Sequence, residues 1–305
     1  MLPDPDSHTD RATVIDGSDG QDRIGGPRLI VVSGALLGTQ LEIEEMPVLI
    51  GRASGCTLTL AHPSVSRNHC RIHRDGDQVT LQDLGSTNRT RVNGRPVEQI
   101  SLRDGDQITV GQDDLKFFEG ASAEARYHQE LIDLALYDSL TGFLNRRQFR
   151  ILLQEAFEQC RPGTTISLLL LDLDHFKQIN DRHGHLAGDQ VLATVSKVLR
   201  EQVADHGELG RLGGEEFAAL LPDVAVDEAA GWAERLRAAV EDRGIDPGPI
   251  TVSIGVAEWM PSVVDASELL QRADGALYCA KNSGRNRVAI ADDQAPSRDT
   301  IERFD

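Results

Sequence analysis

The periodicity of the apolar residues changes near residue 119, and this change constrains the fold more than any other feature. In residues 28–118, short alternating apolar runs are broken by Gly, Asp and Asn every 8–12 residues. From residue 138 to about 291, candidate strands and helices alternate instead. The first pattern is typical of an all-β sandwich, and the second of an α/β or α+β domain. The chain is therefore predicted to fold as two domains of different class.

Length and charge exclude several classes of protein. The 305 residues fit two domains, and 40% hydrophobic residues is too high for a chain that is disordered throughout. The 31 basic and 49 acidic residues give a net charge of -18, which argues against a broad basic surface that binds nucleic acid. No apolar run exceeds five residues, the N-terminus lacks the pattern of a signal peptide, and the four cysteines are widely separated. We therefore expect a cytoplasmic protein with no nucleic-acid partner and no membrane partner.

Composition also sets the expected domain boundaries. Residues 1–27 hold six Asp and two Arg with little apolar content, which predicts a disordered acidic tail. The all-β domain is expected at 28–118, the mixed domain at 138–291, and a polar tail at 292–305. A linker helix is predicted at 119–137 from apolar residues at helical spacing, namely Tyr127, Leu131, Leu134 and Ala135. This helix either docks on its neighbouring domain or pairs with a second copy.

Two acidic segments of the mixed domain carry its chemistry. Asp172 and Asp174 directly follow an apolar strand, where carboxylates can bind a divalent cation, and Lys177 lies close enough to touch phosphates. Glu215 and Glu216 follow a Gly-Gly pair that predicts a tight hairpin, and adjacent carboxylates are costly without a cation or a proton. The alternatives are a polar strand end for the first segment and a solvated hairpin tip for the second.

Five ordered segments of the C-terminal half resemble the motifs of the GGDEF-domain diguanylate cyclases. Gly213-Gly214-Glu215-Glu216-Phe217 is similar to the signature segment, in the variant with Glu at the third position. The other segments are 138–147, 172–189, 251–257 and 273–286. The resemblance implies an α+β, cyclase-like fold with a central, mainly antiparallel sheet. It also implies an enzyme that joins two GTP molecules into cyclic di-GMP and releases two pyrophosphates.

The resemblance assigns roles to individual residues. Mg²⁺ or Mn²⁺ would be bound by Asp172, the Leu173 carbonyl and Glu215. Asn180 and Asp189 resemble the residues that read guanine, and Asp189 can accept from a donor pair that adenine lacks. The other substrate-binding and catalytic positions are Phe176, Lys177, Arg211, Gly213, Gly214, Glu215, Glu216, Lys281 and Arg285.

Three further expectations follow from the resemblance. Each monomer would carry one GTP, so catalysis is expected to need a homodimer. Glu216 would assist deprotonation of the attacking 3′-hydroxyl or hold a second metal, and both roles stay open. Many relatives carry Arg-x-x-Asp before the Gly-Gly turn as a product-inhibition site, whereas Ala204 and Gly207 stand at those two positions here. We therefore predict weak or no product inhibition through that site.

The N-terminal domain resembles forkhead-associated (FHA) domains, which are β-sandwiches whose loops bind phosphothreonine peptides. The resemblance rests on Gly51-Arg52 and on segments 66–69 and 81–94, in this order. It implies a phosphopeptide site formed by Arg52, Ser66, Arg67, Thr87 and Asn88. His69 is expected to brace the loops. Arg89 stands where relatives usually have Gly, which leaves the local turn in question.

The phosphothreonine is expected either in the chain's own N-terminal tail or in a partner protein. Thr13 is a candidate phosphosite for a Ser/Thr kinase because Asp16 follows it by three residues. A tail beside its own FHA domain has a high effective concentration, although an unstructured tail with incidental threonines is the alternative. For the whole chain, the main interpretation is a diguanylate cyclase regulated by phosphothreonine recognition. The alternative is a catalytically silent GTP-sensing or phosphopeptide-binding scaffold.

Overall fold

The computed structural model describes residues 26–34, 36–120, 122–161 and 163–292. The chain divides into two compact units, 1–134 and 135–305. Thr13 lies outside the described residues, as do the two predicted tails apart from residues 26, 27 and 292. In the described part of the chain, no helix has both the length and the apolar character needed to span a bilayer.

The first unit is a sandwich of two sheets. Its strands are β1 Arg28–Val31, β2 Gln40–Glu42, β3 Val48–Gly51, β4 Leu58–Thr59, β5 Cys70–Asp75, β6 Gln78–Asp83, β7 Arg91–Val92, β8 Arg95–Pro96, β9 Gln99–Ser101, β10 Gln107–Val110 and β11 Asp113–Phe118. One sheet has the order β2-β1-β11-β10-β7-β8 and the other the order β4-β3-β5-β6-β9. The prediction of an all-β N-terminal domain is confirmed.

Alternation of buried and exposed residues explains how the two sheets pack. Along β6, Val79 and Leu81 are buried while the residues between them are more exposed, as expected when one face of a strand covers a core. Ile72 on β5 and Ile108 on β10 come from opposite sheets and share the same hydrophobic core. Burying each such side chain stabilises the fold by about 1.5–3 kcal/mol.

Helix α1 spans Ala123–Leu136 and begins after Ser122, whose hydroxyl oxygen accepts from the Ala125 amide at 3.1 Å. Lys116 on β11 reaches Glu124 at 2.6 Å, so the start of the helix is tied to the sandwich. Its buried residues are Ala125, Ile132 and Leu136. The predicted stripe instead faces outward, with Tyr127 59%, Leu131 44% and Leu134 68% exposed. Pairing of this stripe with a second copy stays a prediction.

The second unit has one sheet and helices on both faces. Its strands are β12 Leu144–Asn145, β13 Ile166–Leu173, β14 Glu208–Gly213, β15 Glu216–Pro222, β16 Val252–Glu258 and β17 Val288–Ile290. Its α-helices are α2 Arg146–Gln159, α3 Phe176–His183, α4 His185–Val203, α5 Val226–Asp242 and α6 Ala266–Asn282, and a short 3₁₀ helix spans Ala204–His206. The sheet order is β12-β14-β15-β13-β16-β17, antiparallel except at its two edges. The predicted α+β fold with a mainly antiparallel sheet is confirmed.

The central strand β13 is buried along its whole length. Leu169 and Leu171 pack into the core beneath α4 and α5, whereas Leu168 and Leu170 pack into the core beneath α2 and α6. A strand covered on both faces reads as a continuous apolar run, which is the pattern seen in the sequence. The last residues of this central strand, Asp172 and Leu173, are therefore held in a fixed position where the strand ends.

Gly255 on β16 allows α6 to approach the sheet closely. A Cβ at this position would lie 2.2 Å from the Ala273 carbonyl oxygen and 2.3 Å from the Leu277 amide nitrogen. Both contacts are with backbone atoms, which cannot rotate away. A side chain here would push α6 outward, and α6 carries Lys281 near its C-terminal end.

Candidate active site

The site is built at the end of the central strand. Asp172 on β13 lies opposite Glu216 on β15 and Ser253 on β16 in the antiparallel register. Asp172 and Asp174 are 6% and 4% exposed, so both carboxylates are held within the fold. The predicted arrangement, a buried strand ending in carboxylates, is what the structure contains.

A cavity of about 280 Å³ lies at this strand end. It brings together six of the predicted site residues, namely Asp172, Leu173, Lys177, Glu215, Lys281 and Arg285. A second depression shares three of these residues and adds Gly214 and Glu216. Residues from three separate sequence segments thus converge. Four acidic side chains, Asp172, Asp174, Asp181 and Glu215, and three cationic side chains line the cavity.

The charges in the cavity are only partly balanced. Lys281 Nζ lies 2.7 Å from Asp172 Oδ2, which forms an ion pair on a buried carboxylate. Burial raises the pKa of Glu215, and the nearby Asp172 raises it further, while Lys281 acts in the opposite direction. Burial and the charge of Asp172 both disfavour the ionised form of Glu215. A bound cation would therefore stabilise the ionised carboxylates of Asp172 and Glu215.

The donor set fits a hard divalent cation. Within the described residues, no group of three or more His, Cys, Asp or Glu side chains is placed to hold a metal ion. Mg²⁺, however, is usually bound by one or two carboxylates together with substrate phosphates. Asp172, Leu173 and Glu215 line one cavity, which agrees with that smaller set of two carboxylates and a backbone oxygen.

Arg211, which is predicted to bind substrate, is hydrogen-bonded within the protein. Its Nη1 lies 3.0 and 3.1 Å from the two carboxylate oxygens of Asp138, and its Nη2 donates to the Gly214 carbonyl at 2.8 Å. Although burial raises the pKa of Asp138, hydrogen bonds from Thr141 and Arg211 hold it below its usual range. The guanidinium of Arg211 thus braces the turn from within the protein, and contact of Arg211 with substrate stays a prediction.

Phe176, which is predicted to bind substrate, lies in the hydrophobic core, and its contact with substrate stays a prediction. Its side chain is 4% exposed and packs in the hydrophobic core with Leu173 and Val191. Its ring lies beneath Gly188, where an added Cβ would be 3.1 Å from the Phe176 ring. Burial of this apolar ring stabilises the fold, and it fixes the start of α3 against the core next to the cavity.

The two predicted guanine readers lie on neighbouring helices. Asn180 is on α3 and Asp189 is near the start of α4. A Cβ at Gly188 would lie 2.0 Å from Asn180 Oδ1, so glycine lets the Asn180 amide lie against the backbone of α4. Of the described residues, those lining the 280 Å³ cavity do not include Asn180 or Asp189. Their role as guanine readers stays a prediction.

Asp174, which the sequence analysis grouped with Asp172 as a carboxylate able to bind a cation, is hydrogen-bonded within the protein. Its carboxylate accepts from Thr251 Oγ1 and Ser253 Oγ, each at 2.7 Å, and from the Asn286 amide at 3.0 Å. It therefore ties β13 to β16 and to the turn after α6. The signal was present in Thr251 and Ser253, two hydroxyl residues spaced by two in a predicted strand, which place both hydroxyls on one face.

The predicted phosphopeptide residues of the first unit also converge. Ser66 Oγ accepts from the Thr87 amide at 3.1 Å, and Asn88 Nδ2 donates to the Ser64 carbonyl at 2.7 Å. Arg52 Nε donates to the Val65 carbonyl at 3.1 Å, while Arg52 itself is exposed. Three loops are thus fastened to each other around an exposed guanidinium. Arg67 is exposed beside them, and its carbonyl accepts from the Ala53 amide at 3.1 Å.

Asp83 organises the loop that carries Thr87 and Asn88, and sequence reasoning missed it. Its carboxylate accepts from the amides of Gly85, Ser86 and Thr90 and from the hydroxyls of Ser86 and Thr90 at 2.6–3.0 Å. Although burial opposes the shift, these hydrogen bonds lower the pKa of Asp83 to about 2. An Asp followed by Ser three residues later is the local signal of such a turn.

His69 and Arg89 complete these loops. His69 is buried, and its Nδ1 accepts from the Ser66 amide at 3.1 Å, which agrees with a bracing role. Arg89 has φ +61°, the left-handed conformation that glycine adopts without strain. The chain therefore keeps the turn with Arg in place of Gly, and the Arg89 side chain lies 3.8 Å from Glu98.

Comparison with known families gives two matches. Residues 135–287 match the family model described as "Diguanylate cyclase, GGDEF domain", and residues 48–111 match the FHA domain model. The chain belongs to the GGDEF diguanylate cyclase family. Both resemblances drawn from the sequence are thereby confirmed, and they fall on the two units of the structure.

Several GGDEF proteins are similar to this chain. Diguanylate cyclase VdcA from Vibrio cholerae is 44% identical over 162 residues, which cover 50% of this chain and 46% of that protein. Diguanylate cyclase DgcM from Escherichia coli K12 is 40% identical over 212 residues, which cover 68% of this chain and 48% of that protein. The chain therefore spans about half the length of the curated relatives it matches.

Among solved structures, the coiled coil and GGDEF domain of DgcB from Caulobacter crescentus in complex with c-di-GMP is similar to this chain. The sequence identity is 38% and the TM-score 0.52, and the match covers 55% of this chain and 92% of that one. The second unit thus has the GGDEF fold.

Proposed function

We propose that this chain is a diguanylate cyclase that condenses two GTP molecules into cyclic di-GMP and two pyrophosphates. The observation that carries the proposal is the cavity in which Asp172 and Glu215 face Lys177, Lys281 and Arg285. A pair of carboxylates and three cations around one cavity suit a nucleoside triphosphate with its metal. The match of residues 135–287 to the GGDEF diguanylate cyclase family also supports the proposal.

The reaction is a displacement at the α-phosphorus. The 3′-oxygen of one GTP forms a bond to the α-phosphorus of the other, the bond to the pyrophosphate oxygen breaks, and this happens twice. Lys281 and Arg285 would stabilise charge on the triphosphate, and Glu216 would accept the 3′-hydroxyl proton. Mg²⁺ or Mn²⁺ bound by Asp172, Glu215 and the Leu173 carbonyl would neutralise developing negative charge. Asn180 and Asp189 would select guanine.

The reaction needs two sites that face each other, so we propose a homodimer as the active species. We place the protein in the cytoplasm, where GTP is available and where the free thiols of its four cysteines stay reduced. Product inhibition through residues 204–207 is expected to be weak or absent.

We further propose that phosphothreonine recognition by the FHA domain regulates the cyclase. Arg52 would pair with the phosphate, Ser66 and Thr87 would donate hydroxyls, and Asn88 would contact the peptide backbone. The peptide would come from a partner protein or from the chain's own tail, with Thr13 as the residue that a Ser/Thr kinase modifies.

The deciding experiment incubates the pure full chain with GTP and Mg²⁺ and separates the products by chromatography. We expect cyclic di-GMP and pyrophosphate in a 1:2 ratio, and loss of product in Glu216→Ala. GTP binding without any cyclic di-GMP at any protein concentration would contradict the cyclase and favour the silent GTP-sensing scaffold. Titration of phosphothreonine peptides into the wild type and Arg52→Ala tests the FHA domain separately.

A further inference from the structure

The turn between α6 and β17 has an unusual backbone. Gly284, Arg285 and Asn286 have φ values of +115°, +61° and +47°, so three consecutive residues lie in the positive-φ region. Asn adopts this conformation more readily than most residues with a side chain, whereas for Arg285 it is unfavourable and the surroundings must offset the cost. Some part of the structure must therefore hold this turn.

Arg285 is the member of the turn that reaches the cavity. Among the described residues, no hydrogen bond or ion pair holds its guanidinium, and the residue is exposed. Its side chain is thus placed by its backbone alone. What fixes the turn consequently fixes where this cation meets the proposed triphosphate.

Asn286 connects the turn to its surroundings on two sides. Its amide donates to Asp174 Oδ2 at 3.0 Å, which ties the turn to the end of β13. Its side chain donates to Glu241 Oε1 at 2.8 Å and accepts from Arg237 Nη1 at 2.8 Å. Arg237 and Glu241 both lie on α5, about 45–49 residues earlier in the chain.

The pair on α5 is built as a rigid anchor. Arg237 also bonds to Glu234 at 2.7 Å and to Glu241, and its own side chain is only 15% exposed. Its two carboxylate partners raise its pKa, so the guanidinium stays charged. A planar guanidinium with several donors can serve two carboxylates and an amide at once.

We propose that Arg237 and Glu241 clamp the Gly284–Asn286 turn and thereby position Arg285 at the phosphate-binding cavity. The proposal rests on the proposed cyclase function for its kinetic consequences. Arg237 and Glu241 do not line the cavity themselves, so they are positioning residues that act through Asn286 and Arg285. An ion pair with a purely structural role would change the stability of the fold without specifically changing the conformation of the Gly284–Asn286 turn.

The test compares Arg237→Gln with Arg243→Gln in the full chain. Arg243 lies at the end of the same helix and pairs with Glu201 at 3.1 Å, so Arg243→Gln also removes an arginine ion pair but leaves the contacts of Asn286 intact. Hydrogen–deuterium exchange should show loss of protection at residues 283–288 in Arg237→Gln and wild-type protection there in Arg243→Gln. Equal protection in the two variants would overturn the clamp.

Kinetics give the second readout. We expect Arg237→Gln to raise the KM for GTP by about 10-fold while kcat changes less than about 2-fold, since a misplaced cation weakens triphosphate binding. Arg237→Lys should lie between this variant and the wild type, because an ammonium keeps the positive charge but lacks the planar fork with which the guanidinium bonds to its three partners. In an Arg285→Ala background, Arg237→Gln should have no further effect. Additive losses would overturn the proposal that Arg237 acts through Arg285.

The two readouts separate this proposal from the proposed function. A wild type without cyclase activity would contradict the cyclase, and the exchange experiment would still decide the clamp. A wild type that makes cyclic di-GMP and an Arg237→Gln variant with unchanged KM and unchanged exchange would contradict the clamp alone.

Discussion

The loops around Arg52 in the FHA domain and the cavity around Asp172 in the GGDEF domain are both proposed to bind phosphate, yet different interactions hold them in place. The FHA loops are fixed by hydrogen bonds centred on Asp83 and on the contact between Ser66 and Thr87, which are 21 residues apart in the sequence. The cavity is assembled from strand ends and a helix that are far apart in sequence, such as Asp172 and Lys281.

The two regions also differ in charge. Residues 28–118 have 10 basic and 11 acidic residues, and their site exposes Arg52 without a carboxylate among its predicted residues. Residues 138–290 have 16 basic and 23 acidic residues, and four carboxylates line the cavity, including those of Asp172 and Glu215. We therefore expect a phosphate to bind the first site directly, and we expect the second site to need a cation that offsets its carboxylates.

The largest expected effect tests long-range assembly. Gly255→Ala should destabilise the GGDEF unit by about 3 kcal/mol and weaken GTP binding, because the new Cβ meets the backbone of α6. Thermal unfolding followed together with peptide binding checks this, and phosphopeptide affinity should not change. Gly275→Ala on the same helix has open space and should be neutral or slightly stabilising. Equal destabilisation by both variants would contradict close approach as the cause.

The next effect tests the directness of phosphate binding in the FHA domain. Arg52→Lys should weaken phosphothreonine-peptide binding by about 10-fold, since an ammonium lacks the fork that a guanidinium offers to phosphate oxygens. Isothermal titration calorimetry measures the change. Arg74→Lys is the control, because Arg74 bonds to Gly76 at the far end of the β5–β6 hairpin. A wild-type affinity for Arg52→Lys would remove Arg52 from the site.

The pH dependence of the FHA domain tests the hydrogen bonds of its loop. The pKa of Asp83 is about 2 in the folded protein against 3.8 for an ordinary Asp, so its ionised form stabilises the fold by about 2 kcal/mol above pH 4. This contribution is lost as the pH falls from 4 towards 2. Urea unfolding of the wild type and Asp83→Asn at several pH values should show the difference between them narrowing over that window. A constant difference down to pH 2 would contradict the assignment.

The smallest expected effect concerns Arg89, which stands where the FHA domains that this chain resembles usually have Gly. Arg89→Gly should stabilise the FHA unit by about 0.5 kcal/mol, because relief of the left-handed conformation slightly exceeds the entropy lost by glycine. Arg91→Gly, in strand β7, should instead destabilise it by about 0.5–1 kcal/mol. Urea unfolding measures both variants. If Arg89→Gly costs as much as Arg91→Gly, the left-handed turn carries no strain.

The fold was predictable because its signals are local and repeated. The change of periodicity near residue 119 separates the two units, and the continuous apolar run before Asp172 marks a strand covered on both faces. The ends of β13 and of the β14–β15 hairpin, with Asp172 and Glu215, were therefore accessible from the sequence. Lys281 was placed through the motif of the last helix.

The contacts that depend on partners distant in sequence were not predictable in this way. Nothing in the sequence around Arg211 shows that its guanidinium lies beside Asp138. The burial of Phe176 next to Gly188 depends on how α3 and α4 pack. The apolar residues Tyr127, Leu131 and Leu134 of α1 have the spacing of a buried face but are exposed. The sequence also does not show that Lys116 on β11 pairs with Glu124 in the first turn of this helix.

The metal dependence of the two sites, measured on one sample of the full chain, tests the comparison most directly. Isothermal titration calorimetry would record the affinity for a non-hydrolysable GTP analogue and for a phosphothreonine peptide, with Mg²⁺ and with EDTA. We predict that Mg²⁺ tightens analogue binding by about 100-fold and leaves peptide binding within about 2-fold, because only the first site contains carboxylates that need a cation. Equal affinity for the analogue with and without metal, or a peptide affinity that follows the metal, would contradict this account of the two sites.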